Sequence, residues 1–159
     1  MNTVMHDSET PAHGQQVITA VAIIHAIMDG HTKVFLPKRA KTKKFLPDVY
    51  ELPGGHIDFG EDIEVGLKRE IREEFIKEII LGDVVGAFTY TNEVKGSHSV
   101  EIIYLAEFKG SIDDITLQPE DHSEYIWAAE DELAKAYAGQ KGSDDKEFQY
   151  VRKAFKVLG

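Results

Sequence analysis

The chain has 159 residues and a mass of 17.8 kDa, of which 42 % are hydrophobic residues; that is enough for one compact domain with a sizeable core and too little for two of ordinary size. It contains no cysteine, which excludes disulfides, thiolate metal sites and thiol nucleophiles. A net charge of −10 argues against a surface that grips duplex nucleic acid, and it would repel an anionic ligand unless divalent cations lay between the two.

Residues 1–16 (MNTVMHDSETPAHGQQ) lack a basic start, an apolar centre and a small-residue cleavage site, so they read as a short disordered arm rather than a secretory leader. Residues 17–159 then form a single domain. The apolar run Val17 to Met28 is too short to span a bilayer, which takes about 20 residues. It reads as a buried strand of a soluble, cytoplasmic protein with no membrane partner. Asp29-Gly30-His31 supplies the positive φ angles of a tight hairpin, leading to a second strand over Lys33 to Pro37. A basic loop follows, Lys38 to Lys44. In it Arg39 is the candidate phosphate contact, because a guanidinium fork suits phosphate oxygens.

A short strand is expected at Val49 to Leu52, stopped by Pro53-Gly54-Gly55. The helix expected from about Asp62 to Ile76 carries Ile63, Leu67, Ile71 and Phe75 at spacings of four, an apolar stripe for the core. Beside that stripe, Glu70, Glu73 and Glu74 stand at i, i+3 and i+4, so three carboxylates share one helical face. Like charges at those spacings cost roughly 0.2–0.5 kcal/mol per pair, a cost that a hard cation with oxygen ligands would remove. Gly66, one turn earlier, leaves that face without a bulky side chain.

Further on, Val84 to Val94 and His98 to Phe108 flank Lys95-Gly96-Ser97 as a second, longer hairpin. Ser111 to Ser123 is a polar loop, Glu124 to Ala128 a strand holding the only Trp, and Glu130 to Ala138 a helix. Ser143 is the expected cap of a last helix with Asp144 and Asp145 in its first turn. Trp127 reads as core, and His56 and His98 as loop residues. Phe88, Tyr90 and Tyr104 are candidates for a nucleobase pocket. Strands flanking two or three helices without a strict βαβ repeat give an α+β class with a mixed sheet.

The run Gly55 to Lys77 resembles the Nudix box, the signature of the Nudix hydrolases: a glycine, five residues, a glutamate, seven residues, then Arg-Glu-aliphatic-any-Glu-Glu-any-Gly-aliphatic. Gly55, Glu61, Arg69, Glu70, Ile71, Glu73 and Glu74 match; Ile76 and Lys77 depart from the pattern. A left-handed residue is costly for a β-branched side chain, so the helix is expected to run on or to end differently, near Gly82, and Lys77 to stand at i+4 from Glu73 and pair with it.

The resemblance implies an αβα sandwich and hydrolysis of a nucleoside diphosphate linked to another group, by attack of water on phosphorus with Mg²⁺ as cofactor and Mn²⁺ as a substitute. It carries over Glu70, Glu73 and Glu74 as metal ligands, with Glu70 or Glu73 instead taking the proton from the water, and Gly54 or Gly55 offering a backbone carbonyl to the metal. It makes Arg69 the residue that orients a glutamate, with Glu61 as its partner. Members of the family often add a carboxylate or histidine from a loop outside the box. Here the dense cluster is Glu120, Asp121, His122 and Glu124, with Glu120 taken as the substrate contact.

A non-catalytic nucleotide sensor of the same fold need not keep all three glutamates, and an isoprenoid diphosphate isomerase would require the cysteine this chain lacks. The absence of proline between Pro53 and Pro119 weighs against the ADP-ribose subfamilies. A nucleoside triphosphate, then a small sugar nucleotide, is the expected substrate. Homodimerisation is common in the family, and no nucleic-acid partner is expected.

Overall fold

Asp29 and Gly30 take φ values of 55° and 77°, the doubly positive pair of a type I′ hairpin turn. The turn joins β1 (Gln16–Met28) to β2 (His31–Arg39), with His25 opposite Val34 and Met28 opposite His31. The computed structural model describes residues 11–138 and 145–159. Ser143, Asp144 and the first ten residues, on which expectations were placed, lie outside them. From Pro11 the chain is described and held: Ala12 is buried, and the amides of Ala12 and Gly14 donate to the carbonyls of Lys95 and Gly96.

The elements that follow are β3 (Gly54–His56), α1 (Ile63–Phe75), β4 (Ile79–Asn92), β5 (Ser97–Phe108) and β6 (His122–Ala128), then a 3-10 turn (Glu130–Glu132) leading into α2 (Leu133–Ala136), and α3 (Lys146–Leu158). Strand order across the sheet is β4-β5-β1-β2-β6, with β3 paired to β1 on the edge it shares with β2. The β1–β5 pairing is parallel and the others antiparallel, which makes the sheet mixed.

Strand periodicity divides the apolar residues of β1 between two faces. Ala20, Ala22 and Ile24 pack with Phe35, Tyr104 and Phe108 under Leu67, Ile71 and Phe75 of α1. Val21 and Ile23 pack with Val34, Leu36 and Ile103 under Leu133, Phe148, Val151 and Phe155 of α2 and α3. The result is the expected αβα sandwich of the α+β class. Leu67, Ile71 and Phe75 are completely buried, and each contributes about 1.5–3 kcal/mol of hydrophobic stabilisation. Trp127 is half-buried and packs against this core, with its ring 5.4 Å from Phe35 and 6.1 Å from Phe108. Among the described residues, no helix is long and apolar enough to cross a membrane.

Four expectations need correction. Val49 to Leu52 forms no strand beyond a single bridge between Lys38 and Tyr50. The strand is instead Gly54–His56, because Gly54 can lie directly on β1, where any Cβ would collide with the carbonyl oxygen of Ala20. The helix does not run on: Ile76 adopts φ 56°, ψ 43° and caps α1, its amide donating to Arg72 O at 3.0 Å. That turn breaks the helical spacing, so Lys77 does not stand over Glu73. Its ammonium, almost fully buried, bonds Asp114 at 2.7 Å and the Ser111 carbonyl at 2.5 Å. Finally, Asp145 is not in the first turn of α3 but caps it, accepting from the Phe148 amide at 3.1 Å. Smaller shifts also occur: β4 begins at Ile79, β6 begins at His122, and His56 and His98 are strand residues.

Candidate active site

Asp62 starts α1 by accepting hydrogen bonds from the amides of Glu64 and Val65, so the helix register, and with it the glutamate face, is fixed from its first turn. Gly66 does leave room on that face, but the space is filled by the Glu61 carboxylate and Ile57, which a Cβ would meet at 2.7 Å. Glu61 is thereby pressed toward Arg69, and the guanidinium grips it with two bonds, Nε to Oε2 at 2.8 Å and Nη2 to Oε1 at 3.0 Å. The same guanidinium donates to the His56 carbonyl at 3.0 Å, to Glu70 at 3.0 Å and to Glu73 at 3.3 Å. One planar cation thus ties the loop before α1, strand β3 and two of the three glutamates into a single arrangement. The Glu61 carboxyl is held down to about 2 by the Arg69 guanidinium and, secondarily, by the Asp58 amide.

Glu70 reaches β3 because Gly55 has no side chain: a Cβ there would lie 2.5 Å from the Glu70 carboxylate. Glu73 is exposed, with 59 % of its side chain accessible. Glu74 is buried, and its Oε2 accepts no hydrogen bond. Burial raises its pKa well above the usual carboxylate range, the negative charges of Glu51, Glu70 and Asp121 add to the rise, and Lys43 opposes it.

Two loops close the site behind Glu74. Glu51 accepts from Arg39 at 3.2 Å and pairs with His122 Nε2 at 2.8 Å, and the His122 ring stacks on Phe75 at 5.1 Å. Lys43 pairs with Asp121 at 3.2 Å, both largely buried. Together these groups line a cleft of about 600 Å³ that also takes in Gly54, Gly55 and the glutamate face. Among the described residues, no three His, Asp or Glu side chains are gathered into a metal-holding group as they stand. The donor set nonetheless fits a hard divalent cation: the orphaned, buried Oε2 of Glu74 faces neighbouring carboxylates that a cation would neutralise.

The structure brings together Arg69, Glu70, Glu73, Glu74, Gly54 and Arg39, all within or against one cleft. Arg39 lies there as a buried anchor as well, its Nε donating to the carbonyls of Phe45 and Leu46. Glu120 is not brought in. It is exposed and absent from the cleft wall, where its neighbours Asp121 and His122 stand instead, and Glu124 turns outward to Tyr50 and Lys38. Phe88 and Tyr90 line the cleft, whereas Tyr104 packs on the opposite face of the sheet. Glu51 and Lys43 were missed by sequence reasoning. The one signal for Glu51 was an acid set between Tyr50 and Leu52, an unusual residue for an apolar run.

Residues 18–148 match the model of the NUDIX domain family. The chain belongs to the NUDIX hydrolase family. A nucleoside triphosphatase NudI of Salmonella paratyphi B is 31 % identical over 107 residues, covering 62 % of this chain and 74 % of the relative. The MutT protein of Methanosarcina mazei Go1 superposes with a TM-score of 0.69 at 21 % identity, over 94 % of this chain and 96 % of the other. An Ap4A hydrolase of C. elegans superposes with a TM-score of 0.71 at 22 % identity, over 89 % and 97 %. At those identities the structural likeness speaks for the NUDIX fold alone. As a NUDIX pyrophosphohydrolase the protein is an enzyme.

Proposed function

We propose that this NUDIX hydrolase cleaves a pyrophosphate bond of a nucleoside triphosphate by attack of water on phosphorus, with Mg²⁺ as cofactor and Mn²⁺ as a substitute. The observation that carries the reading is Glu74: a buried carboxylate with an unbonded oxygen, set against Glu70, Glu51 and Asp121, is stable as an anion only beside a cation. The triphosphatase named among the relatives supports a triphosphate ahead of a sugar nucleotide.

Glu70, Glu73, Glu74 and the Gly54 carbonyl are the groups that would hold the metal, which when bound neutralises phosphoryl oxygens and makes water more acidic. Arg69 fixes the directions of Glu70 and Glu73, so whichever of the two takes the proton from water is held in place before the substrate arrives. Arg39 and Lys43 also line the cleft, where they offset the charges of Glu51 and Asp121 and so lower the cost of bringing phosphates in. Gly55 keeps the wall between β3 and Glu70 open enough for that carboxylate to turn into the cleft.

The test is a Mg²⁺-dependent screen over nucleoside triphosphates, sugar nucleotides and dinucleotides, with products assigned by phosphorus NMR and Glu74→Gln as control. The reading expects triphosphate turnover, lowered about a hundredfold or more by Glu74→Gln with the fold retained. Tight metal-dependent nucleotide binding without turnover would make the domain a sensor instead.

A further inference from the structure

The strand registers place four residues in one row across the sheet: His56 on β3 opposite Thr19 on β1, Thr19 opposite Glu101 on β5, and Glu101 opposite Phe88 on β4. All four line the cleft. Neighbouring strands lie about 4.8 Å apart, so the row measures about 14 Å from end to end, the reach of a nucleoside with its first phosphates.

The two ends of the row differ in chemistry. At the β3 end the His56 carbonyl holds Arg69, the glycine pair leaves the backbone bare, and Glu70, Glu73 and Glu74 form the face that would hold the metal. At the β4 end Phe88 and Tyr90 stand two residues apart on one face, with ring centroids 6.0 Å from each other. The Phe45 ring lies parallel to Tyr90 at 6.0 Å and 13°. It is carried by the loop whose Phe45 and Leu46 carbonyls Arg39 holds, and in that loop Leu46 sits at φ 47°. Carboxylates stand among the polar groups of the cleft: Glu101, opposite Phe88 in the register, and Glu147 and Asp145. Glu147 is fixed by accepting from the Leu52 amide and the Tyr137 hydroxyl, both at 3.0 Å.

A cation held by Glu70, Glu73 and Glu74 would draw the phosphates to the β3 end, which leaves the aromatic end for the base. Flat rings there offer faces on which any base stacks. The carboxylates add selection, because an ionised carboxylate only accepts hydrogen bonds.

Resting on the reading that the substrate is a nucleotide, we propose that Phe45, Phe88 and Tyr90 with Glu101 and Glu147 form a nucleobase subsite selecting bases that bear an amino group over uracil and thymine. Cytosine, adenine and guanine present an exocyclic amine that donates to Glu101 or Glu147. Uracil and thymine present two carbonyl oxygens around a single N–H, and those oxygens would face anions.

The experiment measures binding of non-hydrolysable α,β-methylene analogues of CTP, GTP, ATP and UTP by calorimetry with Mg²⁺ present, alongside kcat and KM for the parent nucleotides. Wild type should bind the amino bases about ten- to a hundredfold more tightly than the uracil analogue. Glu101→Gln, which adds a donor to the same shape, should narrow that ratio to about threefold or less while kcat stays within about twofold. Phe45→Ala, a change at a half-exposed loop residue, should weaken every base about tenfold in Kd and KM and leave kcat nearly unchanged. Equal or tighter uracil binding, or a Phe45→Ala variant with wild-type affinity, overturns the subsite. The two proposals fail separately: base preference in calorimetry without turnover sinks hydrolysis, and turnover without base preference sinks the subsite.

Discussion

Arg69 touches more of the site than any of the glutamates it holds, and its bond to Glu61 sets a measurable pH dependence. In the unfolded chain the Glu61 carboxyl titrates at the usual value of about 4.3; in the fold it is depressed to about 2. A depressed carboxylate contributes stability that is fully present above the unfolded pKa and is lost as pH falls toward the folded one. The stability difference between wild type and Glu61→Gln, followed by urea denaturation, should therefore be constant above about pH 5 and shrink between about pH 4.3 and 2. Gly55→Ala tests a different contact. Its Cβ would press on the flexible end of Glu70, so turnover should fall about tenfold or more while Tm changes little. The glutamate face and Arg69 were legible in the sequence because their spacing is local, set by one helix. Glu51, Lys43, Asp121 and His122 meet Glu74 only after two loops fold over the sheet, and no spacing along the chain encodes that meeting.

At the end of α1 the cost of a left-handed isoleucine is open to direct measurement. Ile76 is mostly exposed and buries little; a β-branched residue in that conformation costs about 1–2 kcal/mol, and a glycine loses somewhat less than 1 kcal/mol of chain entropy there. Ile76→Gly should consequently stabilise the protein by up to about 1 kcal/mol in chemical denaturation. Lys77→Ala should destabilise it by about 1 kcal/mol or more by releasing the Ser111 and Asp114 contacts. Its Mg²⁺ titration should match wild type, since Lys77 faces away from Glu73. The periodic elements, α1 with its stripe and the two hairpins, were readable from their periods. Strand β3 was not, because Pro53-Gly54-Gly55 carries turn chemistry and its three-residue strand exists only through pairing with β1. The end of α1 was misread for a related reason: local preference argued against Ile76 as a cap, and the folded chain overrides it.

Over the whole molecule, the net charge of −10 and the crowded carboxylates of the cleft act in the same direction. A cation bound only by the folded state stabilises it by about 2.7 kcal/mol at a hundred times its Kd, or about 5–10 °C in Tm for a chain of this size. Mg²⁺ should produce such a rise at constant ionic strength, and Glu74→Gln should reduce it by half or more; a rise reproduced by sodium alone would reflect screening of surface charge. The sheet that supports this site also imposes an order of events. The parallel pairing of β1 with β5 brings Gln16 beside His98, 82 positions away, and such distant contacts close slowly. On the ribosome, the first hairpin and α1 emerge while the long edge of β1 still lacks its neighbour, leaving an open strand edge that chaperones or another nascent chain can engage. Arrest of synthesis ahead of Ser97 should leave a protease-sensitive chain, and the glutamate face of α1 should become protected only once β5 is made.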